Sequence, residues 1–168
     1  VVCLSPVIYN VLTTSLTAGN LPLFNAVAAA GATHEDLNSF NSMELKQLTG
    51  TLAIEDLITP SEVLSFQNAS YNVLQFLKNV TALDLTNCTG LTALALAPMT
   101  WLVTLKVKNC TGLVVIDLAA QTRMTTLPQE AYKGCSALMT VVCPTSLLSI
   151  GQDAFANTDA MLEVKCTA

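Results

Sequence analysis

Charge is what this chain has least of. Only 11% of its 168 residues are Asp, Glu, Lys or Arg, against about 25% in an ordinary soluble domain, and residues 1–33 carry none. The 12 acidic and 7 basic side chains leave a net charge of −5. That argues against nucleic acid as a partner, because a phosphate backbone is gripped by a basic stripe. Histidine occurs once, as His34, with no nucleophile turn nearby, so a solvated residue at a helix start is its plainer role than a catalytic base. No C-x-x-C pair occurs and the 7 glycines are scattered. Zinc, thioredoxin-like redox chemistry and a phosphate-cradling loop have no sequence basis, and no cofactor is expected. The longest uncharged run, Val1 to Thr33, is broken by Pro6, Gly19, Asn20 and Pro22. It lacks the roughly 20 unbroken apolar residues of a membrane-spanning helix. A start at Val1 rather than Met suits a processed or trimmed chain.

Apolar residues are plentiful: 52% of the chain, with a mean hydropathy of +0.54. Either part of the surface is covered by something else, or short coils of Leu, Ala and Thr simply need few charges; soluble surfaces are largely apolar in any case. The length suffices for one domain with an ample core.

The second half repeats. Cys88-Thr-Gly-Leu91-Thr-Ala-Leu94-Ala-Leu96, Cys110-Thr-Gly-Leu113-Val-Val-Ile116-Asp-Leu118, Cys135-Ser-Ala-Leu138-Met-Thr-Val141-Val-Cys143 and Thr158-Asp-Ala-Met161-Leu-Glu-Val164-Lys-Cys166 share the pattern C-x-x-L-x-x-L-x-L, at offsets of 22, 25 and 23. A period of 20–29 residues built on L-x-x-L-x-L predicts a leucine-rich-repeat solenoid, whose coils stack over one continuous core. A finer period of 11 through Leu83, Leu94, Leu105, Ile116, Leu127 and Leu138 predicts two short extended segments per coil, on opposite sides.

Two later segments, Leu127-Pro-Gln-Glu-Ala131-Tyr132-Lys-Gly-Cys135 and Ile150-Gly-Gln-Asp-Ala154-Phe155-Ala-Asn, align at an offset of 23. They resemble the bacterial surface-antigen (BspA-like) class of leucine-rich repeat, over about residues 80–166. The resemblance implies a secreted or surface-anchored protein that binds other proteins or cells.

Residues 1–79 read as a mixed N-terminal cap. Val7 to Thr14 predicts a strand and Leu21 to Ala30 a short helix. Thr33-His-Glu-Asp36 resembles a capping box that opens a helix with Leu37, Phe40 and Met43 on one face and Gly50 as its stop. Thr59-Pro-Ser-Glu62 is a second helix start. Leu74, Leu77 and Val80 lead into the first coil, so residues 80–168 form the solenoid and the fold class is α/β.

Alternation along the coils separates inward from outward positions. One sheet points Ala93, Val115, Thr140 and Glu163 outward, beside Ala95, Asp117, Val142 and Lys165, and Ala97, Ala119, Pro144 and Thr167. The other exposes Asp84, Thr86, Lys106 and Lys108. The first face is short-chained and apolar, a contact surface unless the N-terminal region covers it. The binding residues expected are Ala93, Ala95, Val115, Asp117, Thr140 and Val142, with Lys106 and Lys108 as a second, charged patch.

Five of the 6 cysteines fall at repeat positions, where a free thiol packs as a small hydrophobe. Cys143 and Cys166 are near enough for a disulfide, though parallel Cβ vectors make the geometry poor; Cys3 stands outside the repeat. Four sequons (Asn68, Asn79, Asn87, Asn109) admit glycosylation, yet Asn87 and Asn109 fall in tight turns that give them a structural use. The last repeat strand has no polar cap after it, so it is an open edge or a cut through a longer array, tempered by Glu163 and Lys165. The expected function is a non-enzymatic extracellular or cell-surface interaction or adhesion module. The alternative is a subunit that assembles with copies of itself into a filament or matrix.

Overall fold

The computed structural model describes residues 2–3, 39–40, 49–53, 67–68, 71–72, 74, 77–161 and 163–166. These contain twelve short strands: β1 (Val2–Cys3), β2 (Ser39–Phe40), β3 (Gly50–Ala53), β4 (Gln67–Asn68), β5 (Tyr71–Asn72), β6 (Val80–Asp84), β7 (Thr104–Lys106), β8 (Val115–Asp117), β9 (Thr126–Leu127), β10 (Thr140–Cys143), β11 (Ser149–Ile150) and β12 (Glu163–Cys166). Among the described residues there is no α-helix, and the α/β label gives way to a β-solenoid of stacked parallel strands. The reason is coil length. A turn of 22 or 23 residues that spends two stretches on strands and the rest on tight corners has no room for a helix of even average length. The segments read as strand or helix at 7–14, 21–30 and 59–62 lie outside the described residues, as does His34. Phe40 does not join a helical stripe, because β2 pairs antiparallel with β1. Gly50, the expected helix stop, instead opens β3 with φ +84.

Each coil contributes to two sheets. One runs β3-β6-β7 and continues as β9-β11; the other is β8-β10-β12. Their inward residues meet in one core in which Leu83, Leu105, Leu127, Ile116 and Val141 are almost wholly buried. The inward series along the second sheet runs Ile116, Val141, Val164 and so leaves the period of 11: Leu138, though buried, precedes its strand. Strand register explains this step and the uneven offsets together. Asn109 and Lys133 are hydrogen-bonded across coils as Asn87 and Lys108 are, so the later coil holds three extra residues, Pro128 to Glu130. That lengthens the offset from 22 to 25. At the next corner Pro144 accepts from Leu147 as Gln121 accepts from Met124, two residues sooner after its strand, and 25 falls to 23. Pro144 therefore takes the buried corner position of Met99 and Gln121, rather than the outward place alternation gave it.

The residue before each Cys or Thr of the repeat is left-handed: Asn87 (φ 63), Asn109 (φ 60), Gly134 (φ 76) and Asn157 (φ 57). Asn and Gly tolerate this conformation best. Asn109 Nδ2 donates to Asn87 Oδ1 at 3.0 Å. A Cβ on Gly134 would lie 2.4 Å from Asn109 Oδ1, so glycine there makes room for the Asn ladder. The sequon asparagines Asn87 and Asn109 thus hold adjacent turns together. Behind them the thiols form a second ladder: Cys110 Sγ donates to the Leu85 carbonyl at 3.1 Å and Cys135 Sγ to that of Val107 at 3.0 Å.

Candidate functional site

Strand register assembles most of the residues that alternation singles out. Val115, Thr140 and Glu163 are direct neighbours on β8, β10 and β12; so are Asp117, Val142 and Lys165. Val115 is 46% exposed and Thr140 and Val142 are partly so, while Ala93, Ala95 and Asp117 are open to solvent. Glu163 and Lys165 pair with each other at 3.2 Å, which leaves Asp117 as the carboxylate of the apolar part. Alternation does not find Val114 and Met139, which enter the strands just before their first paired residues. Both are large, apolar and more than a third exposed, and the Met139 amide donates to the Val114 carbonyl.

The sheet stops at β8, and the neighbouring residues 91–96 carry no regular strand. Between the two coils lies a recess of about 220 Å³, lined by Leu94 to Ala97, Asp117, Ala119 and Ala120. Asp117 Oδ1 accepts the Ala119 amide at 2.9 Å and so shapes its rim. Below it the buried Gln121 donates Nε2 to the Leu96 carbonyl at 2.9 Å, with its Oε1 left unpartnered among the described residues. The volume of the recess is below the roughly 300–1,000 Å³ of ordinary small-molecule sites.

Lys106 and Lys108 lie on the other sheet and share no surface with these residues. Lys106 is exposed. Lys108 Nζ sits 2.7 Å from Glu130 Oε2, and Lys133 Nζ sits 2.6 Å from Glu130 Oε1, so Lys108 is one arm of an ion-pair triad spanning two coils. The hydrogen bonds from Lys108 and then Lys133 bring the Glu130 carboxyl from an ordinary 4.5 down to about 2. A carboxylate with a depressed pKa adds stability above its unfolded value and loses it as pH falls through the folded one. Glu130→Gln is therefore expected to lower the melting temperature modestly at pH 7. That deficit should shrink between about pH 4.5 and pH 2, as thermal scans of both proteins across the range will show.

Cys143 and Cys166 are in-register neighbours with free thiols. Burial and the thiol of Cys166 push Cys143 up to about 11, and burial does the same for Cys135. Cys135 and Cys143, both buried, are therefore unreactive packing thiols at neutral pH. No group of His, Cys, Asp and Glu able to hold a metal occurs among the described residues. Nor does any helix there have the length and apolarity to cross a membrane.

Compared with known families, the chain matches the BspA type leucine rich repeat region, in six copies across residues 65–168. No curated protein matches it significantly.

Proposed function

Because the chain belongs to the BspA-type leucine-rich-repeat family, we propose that it is a non-enzymatic interaction module of the cell exterior. It takes a protein partner on the sheet of β8, β10 and β12. One observation carries the reading: Val115 on β8 and Val114 and Met139 at the entrances to β8 and β10 stand exposed, beside Ala93, Ala95 and the partly exposed Val142. Scattered apolar residues need no explanation, but a contiguous patch on a flat surface is characteristic of a contact site. Such a patch, with a polar rim at Asp117 and Thr140, has the anatomy of a protein interface.

Val142→Glu adds a charge to that patch, between Asp117 and Lys165, at a partly exposed position outside the core. It is expected to leave the circular dichroism spectrum and melting temperature as they are and to weaken partner binding by tenfold or more, about 1.4 kcal/mol. Binding at unaltered affinity would show that the wrong face has been chosen.

A self-assembly reading draws on a different observation. Ile150 and Val164, in register with the buried Leu127 and Val141, are themselves open; a further coil, of this chain or of a second copy, would cover them by stacking. Light scattering on the purified chain separates the readings, with ordered polymers favouring assembly and a monomer favouring the receptor face.

A further inference from the structure

The chain has one tryptophan and one arginine, and the fold stacks them on each other. Trp101 and Arg123 hold equivalent corner positions on successive coils, 22 residues apart, so coil stacking itself brings them into contact. The Arg123 guanidinium carbon lies 3.7 Å from the Trp101 ring centroid. Both side chains are exposed, at a corner that follows the apolar sheet and the recess of Ala97, Ala119 and Ala120.

The stack leaves a specific capacity unused. A guanidinium lying over an aromatic ring spends its π-face there, while its N–H fork remains free for acceptors in its own plane. Lys108, Lys133 and Lys165 are all paired with carboxylates of this chain. No carboxylate among the described residues forms an ion pair with Arg123. Packing on the ring also restricts the side chain in advance, which lowers the entropy lost when the fork is engaged. Thr100 and Thr122, exposed at equivalent positions just before the pair, add hydroxyls beside it. Trp and Arg are the residue types most enriched at the energetic centres of interfaces.

We propose that the Trp101–Arg123 corner is a recognition site for an isolated Asp or Glu carboxylate on a protein partner, gripped by both arms of the fork. An isolated carboxylate fits better than a polyanion, since a chain of net charge −5 repels one at long range. The site uses none of the residues of the apolar sheet, so it and the proposed sheet interface stand or fall separately.

Trp101, as the only tryptophan, makes its own fluorescence the readout. The probe is a capped pentapeptide, Thr-Val-Glu-Val-Thr, with Thr-Val-Gln-Val-Thr as control. A saturable change in Trp101 emission with a dissociation constant on the order of 1 mM is expected for the Glu peptide. Binding should weaken about tenfold for the Gln peptide and for Arg123→Gln, as loss of a charged hydrogen-bond pair implies. Arg123→Lys, which keeps the charge and loses the fork, should recover only part of it. Equal responses to the two peptides, an unaffected Arg123→Gln, or no saturation in the millimolar range would overturn the proposal. So would tighter binding of a sulfated hexasaccharide than of the Glu peptide.

Discussion

Tyr132→Ala is expected to destabilise the solenoid by about 3–5 kcal/mol, as truncation of a buried aromatic does, whereas Tyr132→Phe is expected to stabilise it. Tyr132 is completely buried and stacks on Phe155 of the next coil, with ring centroids 5.2 Å apart and planes 13° from parallel. Its neighbours in register are Val107 on one side and Phe155 on the other, so alanine would leave a hole in the middle of the stack. The hydroxyl works against the ring. Among the described residues it is buried without a hydrogen-bond partner, and burial pushes its pKa well above the ordinary phenol range. An unpaired buried hydroxyl costs about 1–3 kcal/mol, and phenylalanine removes that cost at unchanged shape. Urea unfolding of the two variants checks both signs; a destabilised Tyr132→Phe would mean that the hydroxyl has a partner in solution.

Gly151→Val is expected to cost about 3 kcal/mol or more and to loosen the last coils while sparing the earlier ones. A Cβ at Gly151 would lie 2.5 Å from the Gln129 amide nitrogen, 2.7 Å from the Pro128 carbonyl carbon and 2.9 Å from Gln129 Cα. All three are backbone atoms, so no side-chain rotation relieves the clash, and overpacking against a fixed neighbour falls among the severe mechanisms. The Gly151 amide donates to the Leu127 carbonyl at 2.8 Å, and that bond must break for the coils to part. Because a solenoid couples mainly nearest neighbours, hydrogen exchange should accelerate at β11 and β12 and stay slow at β6 and β7. Uniform acceleration would mean that the whole stack unfolds as one unit.

Core positions were legible because each is set locally: Leu85, Leu91, Leu96, Cys88 and Cys110 recur at fixed spacing and every one is buried. The outward rows of β8 and β10 were legible by the same alternation. Pro144 was misplaced because its own corner comes two residues sooner after the strand than the corner before it, a length alternation cannot measure. Leu138 was miscounted for the same reason, a three-residue insertion after Leu127 shifting the register. Trp101 and Arg123 were passed over because they sit on corners, where no periodic rule assigns a direction. Only the register of neighbouring coils places the two side chains together. The one available signal was that both types occur once and fall 22 residues apart. Lys108 looked like part of an exposed cationic patch. Its partner Glu130 lies in the inserted segment, and only the fold brings the two within reach.

The central claim is that partners meet this protein on the sheet of β8, β10 and β12, and a paired charge insertion tests it most directly. Val142→Glu and Thr126→Glu put the same charge on the two outward faces, at partly and fully exposed positions respectively. Binding of both variants and the native chain would be measured on immobilised extracellular matrix proteins and on the chain itself. The account predicts that Val142→Glu loses tenfold or more in affinity while Thr126→Glu binds as the native chain does. Loss of binding in Thr126→Glu with Val142→Glu intact would contradict it and move the functional surface to the opposite sheet.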